Sequence, residues 1–407
     1  MVHKLSLRDL PIQGKRVLMR VDFNVPMDNS GHITDDTRLT STLPSIRYVL
    51  DHGGSLVLMS HMGRPKGKRS KELSLAPCAK RLSQLLERPV TFVTDCVGPE
   101  VEQKAKALKP GEVLLLENLR FYPAEEEPQR DPNFAQQLAK LGDFYVNEAF
   151  GSAHRAHSST ATIAKYFPGR AAGGFHLMKE VEFLGEHLDN PERPFYAIIG
   201  GNKASSKLGV LKSLLHKADA LFFGGAMAFT FLKAQGFSIG HSLCEDDQVI
   251  KAKELLATAQ KQGVKIWLPV DAVVVPEIDE AIPADRVIVL KDGIPNNLMG
   301  VDIGPQTVEL FNRELKKAKT ILWNGPMGVF EIPQFATGTK AVAECLASLP
   351  AMTIVGGGDS VAAVRSLGVG DKLTHLSTGG GATLEYIEFG SLPGVEALSN
   401  AKTEARR

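Results

Sequence analysis

The stretch Met352–Ser360, MTIVGGGDS, joins a short apolar run directly to three glycines, an aspartate and a serine. An apolar, partly β-branched run of this length is typical of a strand buried on both faces of a parallel sheet. Glycines directly after such a strand predict a tight turn, here into a helix. The stretch therefore indicates a strand–glycine–helix junction, which is the repeating unit of an α/β fold.

Similar apolar runs recur along the whole chain, at spacings that leave room for a crossover helix between them. They are RVLMRVDF, SLVLMS, VLLLEN and DFYVNEAF in the first half, and PFYAIIGG, ALFFGG and TILWNG in the second. Segments such as 133–141 and 246–260 show helical spacing. At 407 residues the chain is too long for one ordinary core. We predict an α/β protein with two doubly wound, Rossmann-like parallel-sheet domains.

A change of character near the middle of the chain suggests the domain boundary. The Gly-rich segment PGRAAGGF precedes a stretch in which four apolar residues fall on one helical face: Leu177, Val181, Leu184 and Leu188. This stretch is either a hinge helix between domains or one more surface helix, and the spacing alone leaves both open. We place the first domain at residues 1–172 and the second at 173–389.

Composition narrows the functional class. Hydrophobic residues make up 43% and charged residues 23%, as in an ordinary soluble enzyme. The four cysteines are scattered without the spacing of a metal or redox site, so we expect reduced thiols. The opening MVHKLSLRDLP lacks the apolar core of a secretory signal, and we predict a cytoplasmic protein without a membrane partner.

Charge is distributed unevenly between the two halves. The net charge is +1, but residues 1–170 carry 24 Lys and Arg against 19 Asp and Glu. This excess suits a small anionic ligand and falls short of that of a nucleic-acid-binding domain. The run GRPKGKRSK lacks interleaved aromatic residues, which also disfavours a nucleic-acid site.

Glycine clusters after strands in the second half point to phosphate binding. They lie at Gly200-Gly201, Gly224-Gly225, Gly356–Gly358 and Gly379–Gly381. Glycine permits close approach of a phosphate to the backbone, and a following helix offers free N–H groups. Neither GxxxxGK[ST] nor a strand-linked GxGxxG occurs, which argues against a P-loop enzyme and against a dinucleotide dehydrogenase.

Charged residues beside these glycines are candidates for contacts to the phosphates. Lys203 and Lys207 are four residues apart and would share one face if a helix began there. Asp359 could hold Mg²⁺ bridging nucleotide phosphates, or it could simply cap a helix.

Basic residues in the first half follow predicted strands. Asp22 and Asn24 end the first strand and could hydrogen-bond a substrate hydroxyl group. Because the carboxyl ends of parallel strands meet at one edge of a sheet, the basic residues could form a single anion pocket. They are Arg38, His61, Arg64, Arg120, His154 and Arg155.

Ten motifs, in order, resemble the phosphoglycerate kinase family over nearly the whole chain. In the first half they are RVLMRVDFNVP, TDDTR, SHMGRP, ENLRF and FGSAHRAHSS. In the second half they are GGNKASSK, GGAMAFTF, NGPMGVFE, GGGDS and STGGGATLE.

The resemblance implies a site for each substrate. The phosphoglycerate site would consist of Asp22, Phe23, Asn24, Arg38, His61, Met62, Gly63, Arg64, Arg120 and Arg155. The nucleotide site would consist of Lys203, Lys207, Gly225, Asn324, Glu331, Gly356, Gly357, Gly358, Asp359, Ser360, Gly379, Gly380 and Gly381, with Asp359 also holding the metal.

The resemblance also implies the reaction, which is reversible transfer of the acyl phosphate of 1,3-bisphosphoglycerate to Mg-ADP. It further implies a monomer that closes about a hinge, with residues 390–407 packing back on the first domain. We expect Arg38, Lys203 and Lys207 to be catalytic. The attacking carboxylate is already ionised at neutral pH, so no general base is needed. A non-catalytic anion-binding protein and an acyl-phosphate kinase acting on acetate are the alternatives.

Three positions depart from the family pattern. Asn202 stands where Ala or Ser is usual, Ala226 where a third glycine is common, and Ser360 where Thr is frequent. Ser360 keeps the hydroxyl group, whereas the first two leave the preference for adenine open.

Overall fold

The structure, a computed structural model, describes residues 3–401 and consists of two compact units. The first unit contains the chain up to Glu182 together with the residues from Ser391 onward, and the second contains Phe183–Gly390. The sequence placed the change of domain at 172/173, whereas the contacts divide the chain at 182/183. Within the described range, every helix is too short or too polar to cross a bilayer.

The first unit is built on one six-stranded parallel sheet. Its strands are β1 Arg16–Arg20, β2 Ser55–Met59, β3 Val90–Phe92, β4 Val113–Leu115, β5 Phe144–Asn147 and β6 Ala171–Gly173. Their order is β3-β4-β2-β1-β5-β6, and β2, β4 and β5 are buried along their whole length. Helices cover the sheet: α1 Thr37–Thr40, α2 Leu43–Asp51, α3 Ala76–Leu86, α4 Pro99–Ala107, α5 Pro123–Glu126, α6 Phe134–Ala139 and α7 Phe175–Val181.

The second unit repeats this plan with a second six-stranded parallel sheet. The unit as a whole has nine strands, which are β7 Phe195–Ile199, β8 Ala220–Phe223, β9 Lys265–Trp267, β10 Asp271–Val275, β11 Val287–Val289, β12 Met299–Ile303, β13 Thr320–Asn324, β14 Met352–Gly356 and β15 His375–Leu376. The parallel sheet has the order β15-β14-β13-β7-β8-β9. The helices of this unit are α8 His187–Asp189, α9 Leu208–Leu215, α10 Met227–Ala234, α11 Val249–Gln262, α12 Pro305–Leu315, α13 Thr337–Ser348, α14 Gly358–Ser366 and α15 Gly381–Phe389.

The predicted α/β class with two parallel sheets is confirmed, but the second unit also contains a small antiparallel sheet that the sequence did not reveal. Its order is β11-β10-β12. Along β10, Ala272 and Val274 pack into one apolar cluster, and Val273 and Val275 pack into another. Because both faces of β10 are buried, its residues show no alternation of polar and apolar side chains. The pattern therefore could not distinguish it from a parallel strand.

The helical stretch predicted after the Gly-rich segment is present, and the chain passes from the first unit to the second within it. It consists of α7, a π-helical turn at Glu182–Glu186 and α8. Leu177, Leu184 and Leu188 are buried on its inner face, as the spacing predicted.

The C-terminal segment belongs to the first unit and contains α16, Pro393–Glu396. The Gly394 amide donates to the Ala153 carbonyl at 2.8 Å, and the Leu5 amide donates to the Ser399 carbonyl at 2.8 Å. Of the segment 390–407 that we expected to pack on the first domain, residues 402–407 lie outside the described part of the chain.

Candidate active site

In the first unit, the predicted phosphoglycerate residues follow the carboxyl ends of neighbouring strands. Asp22 and Asn24 follow β1, His61 to Arg64 follow β2, Arg120 follows β4 and Arg155 follows β5. These strands are adjacent and parallel, so their carboxyl ends share one edge of the sheet. We name this edge, with Arg38 at the start of the chain's first α-helix, the basic edge: Asp22, Asn24, Arg38, His61–Arg64, Arg120 and Arg155.

A carboxylate orients the first cation of the basic edge. Arg38 Nη1 lies 2.6 Å from Asp22 Oδ2, and the Arg38 side chain is 38% exposed. Burial alone would raise the pKa of Asp22, but its interactions with His61, Arg38 and Arg20 and a hydrogen bond from the Asn24 amide lower that pKa below its usual value. Asp22 is therefore ionised at neutral pH and holds Arg38 in place while part of the guanidinium stays open to an anion.

Backbone contacts tie the strand ends of this edge together. The amide of Gly63 donates to Asn24 Oδ1 at 2.9 Å, and Arg120 Nη1 donates to the Gly63 carbonyl at 2.8 Å. Arg120 Nε also lies 3.2 Å from Glu126 Oε1. The Asn24 carbonyl oxygen accepts the bond from the Gly63 amide within the protein, which leaves the NH₂ group of the same side chain for the substrate hydroxyl group that we expected it to meet.

The remaining predicted residues of this edge differ in exposure. Phe23 and Met62 are buried in the apolar core, so only their backbone groups can face a ligand. Arg64 and Arg155 are exposed. Arg155 is nevertheless close enough to His157 to lower the pKa of that histidine, as Arg120 and Arg20 also do.

His157 is a buried histidine close to these cations. Burial, together with the guanidiniums of Arg120, Arg20 and Arg155, lowers its pKa to about 3. His157 is therefore neutral over the physiological range. A cluster of cations that suppresses protonation of a neighbouring imidazole is suited to hold a multiply charged anion.

Sequence reasoning missed Arg20, the last residue of β1. Its side chain is completely buried, and it donates from Nε to Ser159 Oγ at 2.8 Å and from Nη1 to the Val21 carbonyl. Ser159 Oγ in turn donates to the buried carboxylate of Glu125 at 2.6 Å. An arginine within an otherwise apolar strand was the signal that could have identified it, because a buried charge requires dedicated partners.

In the second unit, the four glycine clusters follow four strands of the parallel sheet, β7, β8, β14 and β15, and thus share its carboxyl edge. We name them the glycine edge: Gly200-Gly201, Gly224-Gly225, Gly356–Gly358 and Gly379–Gly381. At two of these positions glycine is needed because any other residue would bring a Cβ atom into collision with a neighbouring loop. At Gly200 the Cβ would lie 2.1 Å from the Pro326 carbonyl, and at Gly225, where φ is +64°, it would lie 2.6 Å from the Gly201 amide. At Gly358 and Gly380 nothing lies within 4 Å, so that space is open to a ligand.

The two predicted lysines have different environments, and they do not share a helical face. Ser205–Lys207 form a 3-10 turn, and α9 begins only at Leu208. Lys203 is exposed, and in the described part of the chain no carboxylate pairs with it. Lys203 is therefore free to reach a phosphate.

Lys207, by contrast, is buried and fully engaged. Its ammonium donates to the Gly200 carbonyl at 2.7 Å, the Asn324 carbonyl at 3.0 Å and Asn324 Oδ1 at 2.7 Å. Burial lowers its pKa to about 8, although Asp359 opposes the shift. Lys207 thus links the loop at Gly200 to the end of β13 by hydrogen bonds. It must release at least one of these acceptors before it can bind a phosphate.

Asn324, at the end of β13, has an unused donor. Its Nδ2 is buried and has no hydrogen-bond partner among residues 3–401. It lies 3.2 Å from the position that a Cβ on Gly357 would occupy. A buried amide donor without a partner, beside a glycine loop, is a site that a phosphate oxygen can satisfy.

The residues around Asp359 fit a magnesium nucleotide. Asp359 lies exposed in the first turn of α14, directly after the open Gly358. Across the described range no group of three or more His, Cys, Asp or Glu side chains could hold a metal unaided. Mg²⁺ commonly binds through one or two carboxylates plus substrate phosphates, so a single hard oxygen ligand at a phosphate edge suits it. The neighbouring Ser360 hydroxyl accepts the Gly325 amide at 2.6 Å and keeps its own hydrogen to donate.

An apolar cleft lies beside the glycine edge. Leu243 and Ile278 are 52% and 41% exposed there, although they are large apolar side chains that could otherwise be buried. Both positions that depart from the family pattern, Asn202 and Ala226, line this cleft. Its other lining residues include Gly225, Phe229, Met299 and Val329. Its walls are mostly apolar, as are those of sites that hold aromatic bases. Glu331 is exposed just beyond Val329.

Sequence reasoning also missed Asp302, which lies under this cleft. It accepts the amides of Ile303 at 2.9 Å and Gly338 at 2.7 Å, and thereby caps the start of α13. Burial raises its pKa to about 7, although these two hydrogen bonds oppose the shift. An aspartate in the apolar strand β12 was the available signal.

Comparison with known proteins identifies the family. The family model described as phosphoglycerate kinase matches residues 7–389. The phosphoglycerate kinase of Moorella thermoacetica is 57% identical over 396 residues, which are 97% of this chain and 99% of that protein. The enzyme of Chlorobium luteolum is 56% identical over 401 residues, with 98% and 100% covered.

Solved structures agree. The phosphoglycerate kinase of Coxiella burnetii matches with a TM-score of 0.87 at 40% identity, covering 97% of this chain and 98% of that one. The enzyme of Pyrococcus horikoshii OT3 matches with a TM-score of 0.81 at 34% identity over the same shares.

Proposed function

The chain belongs to the phosphoglycerate kinase family, and we propose that its basic edge binds phosphoglycerate and that its glycine edge binds the nucleotide phosphates. The reaction is the reversible transfer of the acyl phosphate of 1,3-bisphosphoglycerate to ADP, a step of glycolysis and gluconeogenesis that yields 3-phosphoglycerate and ATP. The observation that carries the assignment of sites is the contrast between the two edges. One presents guanidiniums, and the other presents open glycine loops with a free lysine.

The chemistry requires little from acids and bases. In the ATP-consuming direction the attacking group is a carboxylate, which is ionised at neutral pH. The protein therefore needs to align two anions and to neutralise charge on the phosphoryl group during an in-line transfer. His61 and His157 both have pKa values lowered below the ordinary range, chiefly by burial, so neither is poised as a general base near pH 7.

Arg38 and Lys203 are the residues that we assign to the transferred phosphoryl group. Arg38 is held by Asp22 but is still partly exposed, and Lys203 is an exposed point charge at the glycine edge. Arginine binds oxygen anions through a planar fork, whereas lysine can follow a moving charge on its flexible stem. Lys207 would join them once its ammonium leaves one of the carbonyl groups it now contacts.

The nucleotide would lie along the glycine edge with its base in the apolar cleft. Asp359 would hold Mg²⁺ that is bound to the nucleotide phosphates. The ion supplies positive charge that shields the phosphate oxygens. Backbone N–H groups at the start of α14 and the Asn324 amide complete the set of donors. Asn202 and Ala226 line the cleft, so they are the positions at which the preference for adenine is decided.

We further propose that the enzyme acts as a monomer in the cytoplasm and that its two units close when both substrates are bound. Holding the acid on one unit and the nucleotide on the other would keep two anions apart until closure, and closure would exclude water from the acyl phosphate. Small-angle scattering with both substrates should show compaction. An unchanged radius of gyration with both ligands at saturation would contradict closure.

The test of the assignment is ATP formation from 1,3-bisphosphoglycerate and ADP, with Mg²⁺ present and with Mg²⁺ removed by a chelator. Arg38→Ala should lower kcat by about 100- to 1000-fold, because a preorganised charge is lost, and should change nucleotide affinity little. Arg47→Ala is a matched control, because Arg47 donates only to the Leu85 carbonyl at the surface. Equal losses of rate and nucleotide affinity in Arg38→Ala would refute its role.

A further inference from the structure

The basic edge contains one histidine, His61, whose protonation state decides what it offers to a ligand. An imidazolium would add a positive charge, whereas a neutral imidazole offers one donor and one acceptor. His61 is 4% exposed and follows β2 at the centre of the sheet. The group that contacts its ring from β1 is the buried Arg20.

The contact between these two residues fixes their roles. Arg20 Nη2 lies 3.1 Å from His61 Nδ1. A guanidinium is always protonated in proteins and has only donors, so His61 Nδ1 must be the acceptor. A nitrogen that accepts a hydrogen bond carries no hydrogen, and the single ring hydrogen must then be on Nε2.

We propose that Arg20 is a positioning residue that fixes His61 as the neutral tautomer with its hydrogen on Nε2. His61 then presents a donor of fixed direction, and no charge, to phosphoglycerate. This proposal rests on the proposed function for the identity of the ligand only. Within residues 3–401 no protein acceptor takes the Nε2 hydrogen, which leaves it for a ligand.

Arg20 is well placed to impose this state because it cannot move away. Its Nε and Nη1 are held by Ser159 and by the Val21 carbonyl, and its side chain is completely buried. Ser159 Oγ in turn donates to Glu125, whose buried carboxylate balances the positive charge of Arg20. Swinging Arg20 away would leave a buried charge without a partner, which is costly.

The other charged groups around the ring act in both directions. Burial lowers the pKa of His61 well below its usual value. The nearby Asp22 carboxylate opposes this, but its Oδ1 is 4.0 Å from Nδ1, too far for a hydrogen bond. The guanidiniums of Arg20, Arg120 and Arg38, which come from three different elements, lower the pKa further.

The proposal can be tested on the free protein without any turnover. In nitrogen-15 NMR of histidine-labelled protein, His61 should show an unprotonated Nδ1 and a protonated Nε2 from pH 5.5 to 8. The His61→Gln variant identifies its signals. Two protonated ring nitrogens near pH 6.5, or a hydrogen on Nδ1, would overturn the proposal whatever the enzyme's activity.

A variant of Arg20 tests its part. In Arg20→Met the nearest cation is gone and Asp22 remains, so the pKa of His61 should rise by about one unit or more. The affinity for 3-phosphoglycerate, measured by calorimetry, should then acquire a pH dependence beyond the one that titration of the ligand's phosphate group produces in the unmodified enzyme. An unchanged His61 titration in folded Arg20→Met would show that Arg20 has no positioning role.

If Arg20→Met does not fold, two variants of His61 still decide the question. In His61→Gln the amide carbonyl can accept from Arg20 while the NH₂ group lies near the position of Nε2. In His61→Asn the shorter amide cannot reach both. His61→Asn should therefore bind 3-phosphoglycerate at least about tenfold more weakly than His61→Gln, since one charged hydrogen bond is worth about 1.5 kcal/mol or more. Equal losses in both variants would indicate that His61 acts as a cation, and would overturn the proposal.

Discussion

The basic edge and the glycine edge both end a parallel sheet, but they present different chemical groups. At the basic edge side chains carry the charge, and the inner ones are oriented by protein acceptors: Arg38 by Asp22, and Arg120 by the Gly63 carbonyl. At the glycine edge the conformation of the backbone, rather than the charge of side chains, is the main feature. Added Cβ atoms at Gly200 and Gly225 would collide with neighbouring loops. Truncating a side chain should therefore damage the first edge most, and changing the backbone conformation should damage the second.

The two edges nevertheless share one device. Each contains a buried cation that can only donate hydrogen bonds. This cation orients a side chain that has an acceptor atom on one side and a donor atom on the other. Arg20 takes the acceptor of His61, and Lys207 takes the acceptor of Asn324 at 2.7 Å. In each case the opposite donor is left without a partner in the described protein. A group that can only donate thereby selects which atom faces a ligand.

The largest effect is expected at Lys203, an exposed cation beside the glycine edge. Lys203→Ala should lower kcat by about 100- to 1000-fold without loss of stability, because Lys203 is exposed. Lys212→Ala is the control, since Lys212 is also exposed in this unit but lies on α9. If Lys203→Ala kept a normal kcat, phosphoryl charge would be neutralised by the backbone alone, and the comparison would become sharper.

Next in size is the pH dependence of stability that two buried carboxyls produce, one in each unit. Glu148 accepts from Ser45 Oγ at 2.5 Å and from the amides of His176 and Leu177 at the start of α7. Burial raises its pKa from 4.5 to about 7, against the pull of these hydrogen bonds. In the second unit, burial likewise raises the pKa of Asp302 to about 7 against the effect of its hydrogen bonds.

A carboxyl whose pKa is raised in the folded state stabilises the protein below its ordinary pKa, and this contribution is lost as the pH rises through about 7. Each group should therefore make its unit more stable at pH 5 than at pH 7.5, by up to about 3 kcal/mol. Glu148→Gln and Asp302→Asn should each remove this slope from their own unit. Both tryptophans, Trp267 and Trp323, lie in the second unit, so fluorescence reports Asp302→Asn and hydrogen exchange reports Glu148→Gln. A slope that survives both substitutions would contradict the assignment.

A smaller effect tests the device that Lys207 and Asn324 form. Asn324→Asp keeps an acceptor for Lys207 but replaces the free Nδ2 donor with an oxygen. Mg-ADP binding should weaken by about 2 kcal/mol, roughly 30-fold, because a donor to a charged group is lost. Asn297→Asp adds the same charge at an exposed position of the unit and should leave affinity unchanged. Calorimetry that shows equal affinities for Asn324→Asp and the control would remove Asn324 from the site.

The smallest effect concerns backbone conformation. Gly357 has φ +90°, and a Cβ there would lie 3.2 Å from Asn324 Nδ2. With ψ 134° this is a conformation that is nearly restricted to glycine, so Gly357→Ala should cost about 1–3 kcal/mol of strain and weaken Mg-ADP binding about tenfold. Gly368 also has a positive φ, +66°, with open space around it, so Gly368→Ala should lower stability but not affinity. Identical affinities in the two variants would show that the loop conformation is not what binds the nucleotide.

Much of the candidate site could be predicted because its residues follow strands. Once RVLMRVDF and SLVLMS were recognised as parallel strands, Asp22, Arg38 and His61 were expected at one edge, and the contacts join Asp22 to Arg38. The partners of these residues could not be predicted. Arg20 and Glu125 are 105 residues apart and connect only through Ser159. The exposed Lys203 and the buried Lys207 looked alike as a lysine pair.

By itself the sequence determined the α/β class, the positions of most strands and the residues that could bind anions, because apolar runs, glycines and charges each act locally along the chain. Tertiary structure alone decided that β10 joins an antiparallel sheet, that Lys207 is enclosed by carbonyl groups and that Glu148 and Asp302 are buried beside helix starts. These outcomes depend on which segments pack against each other. Burial, which governs both pKa and hydrogen-bond satisfaction, is a property of that packing and not of the neighbours in sequence.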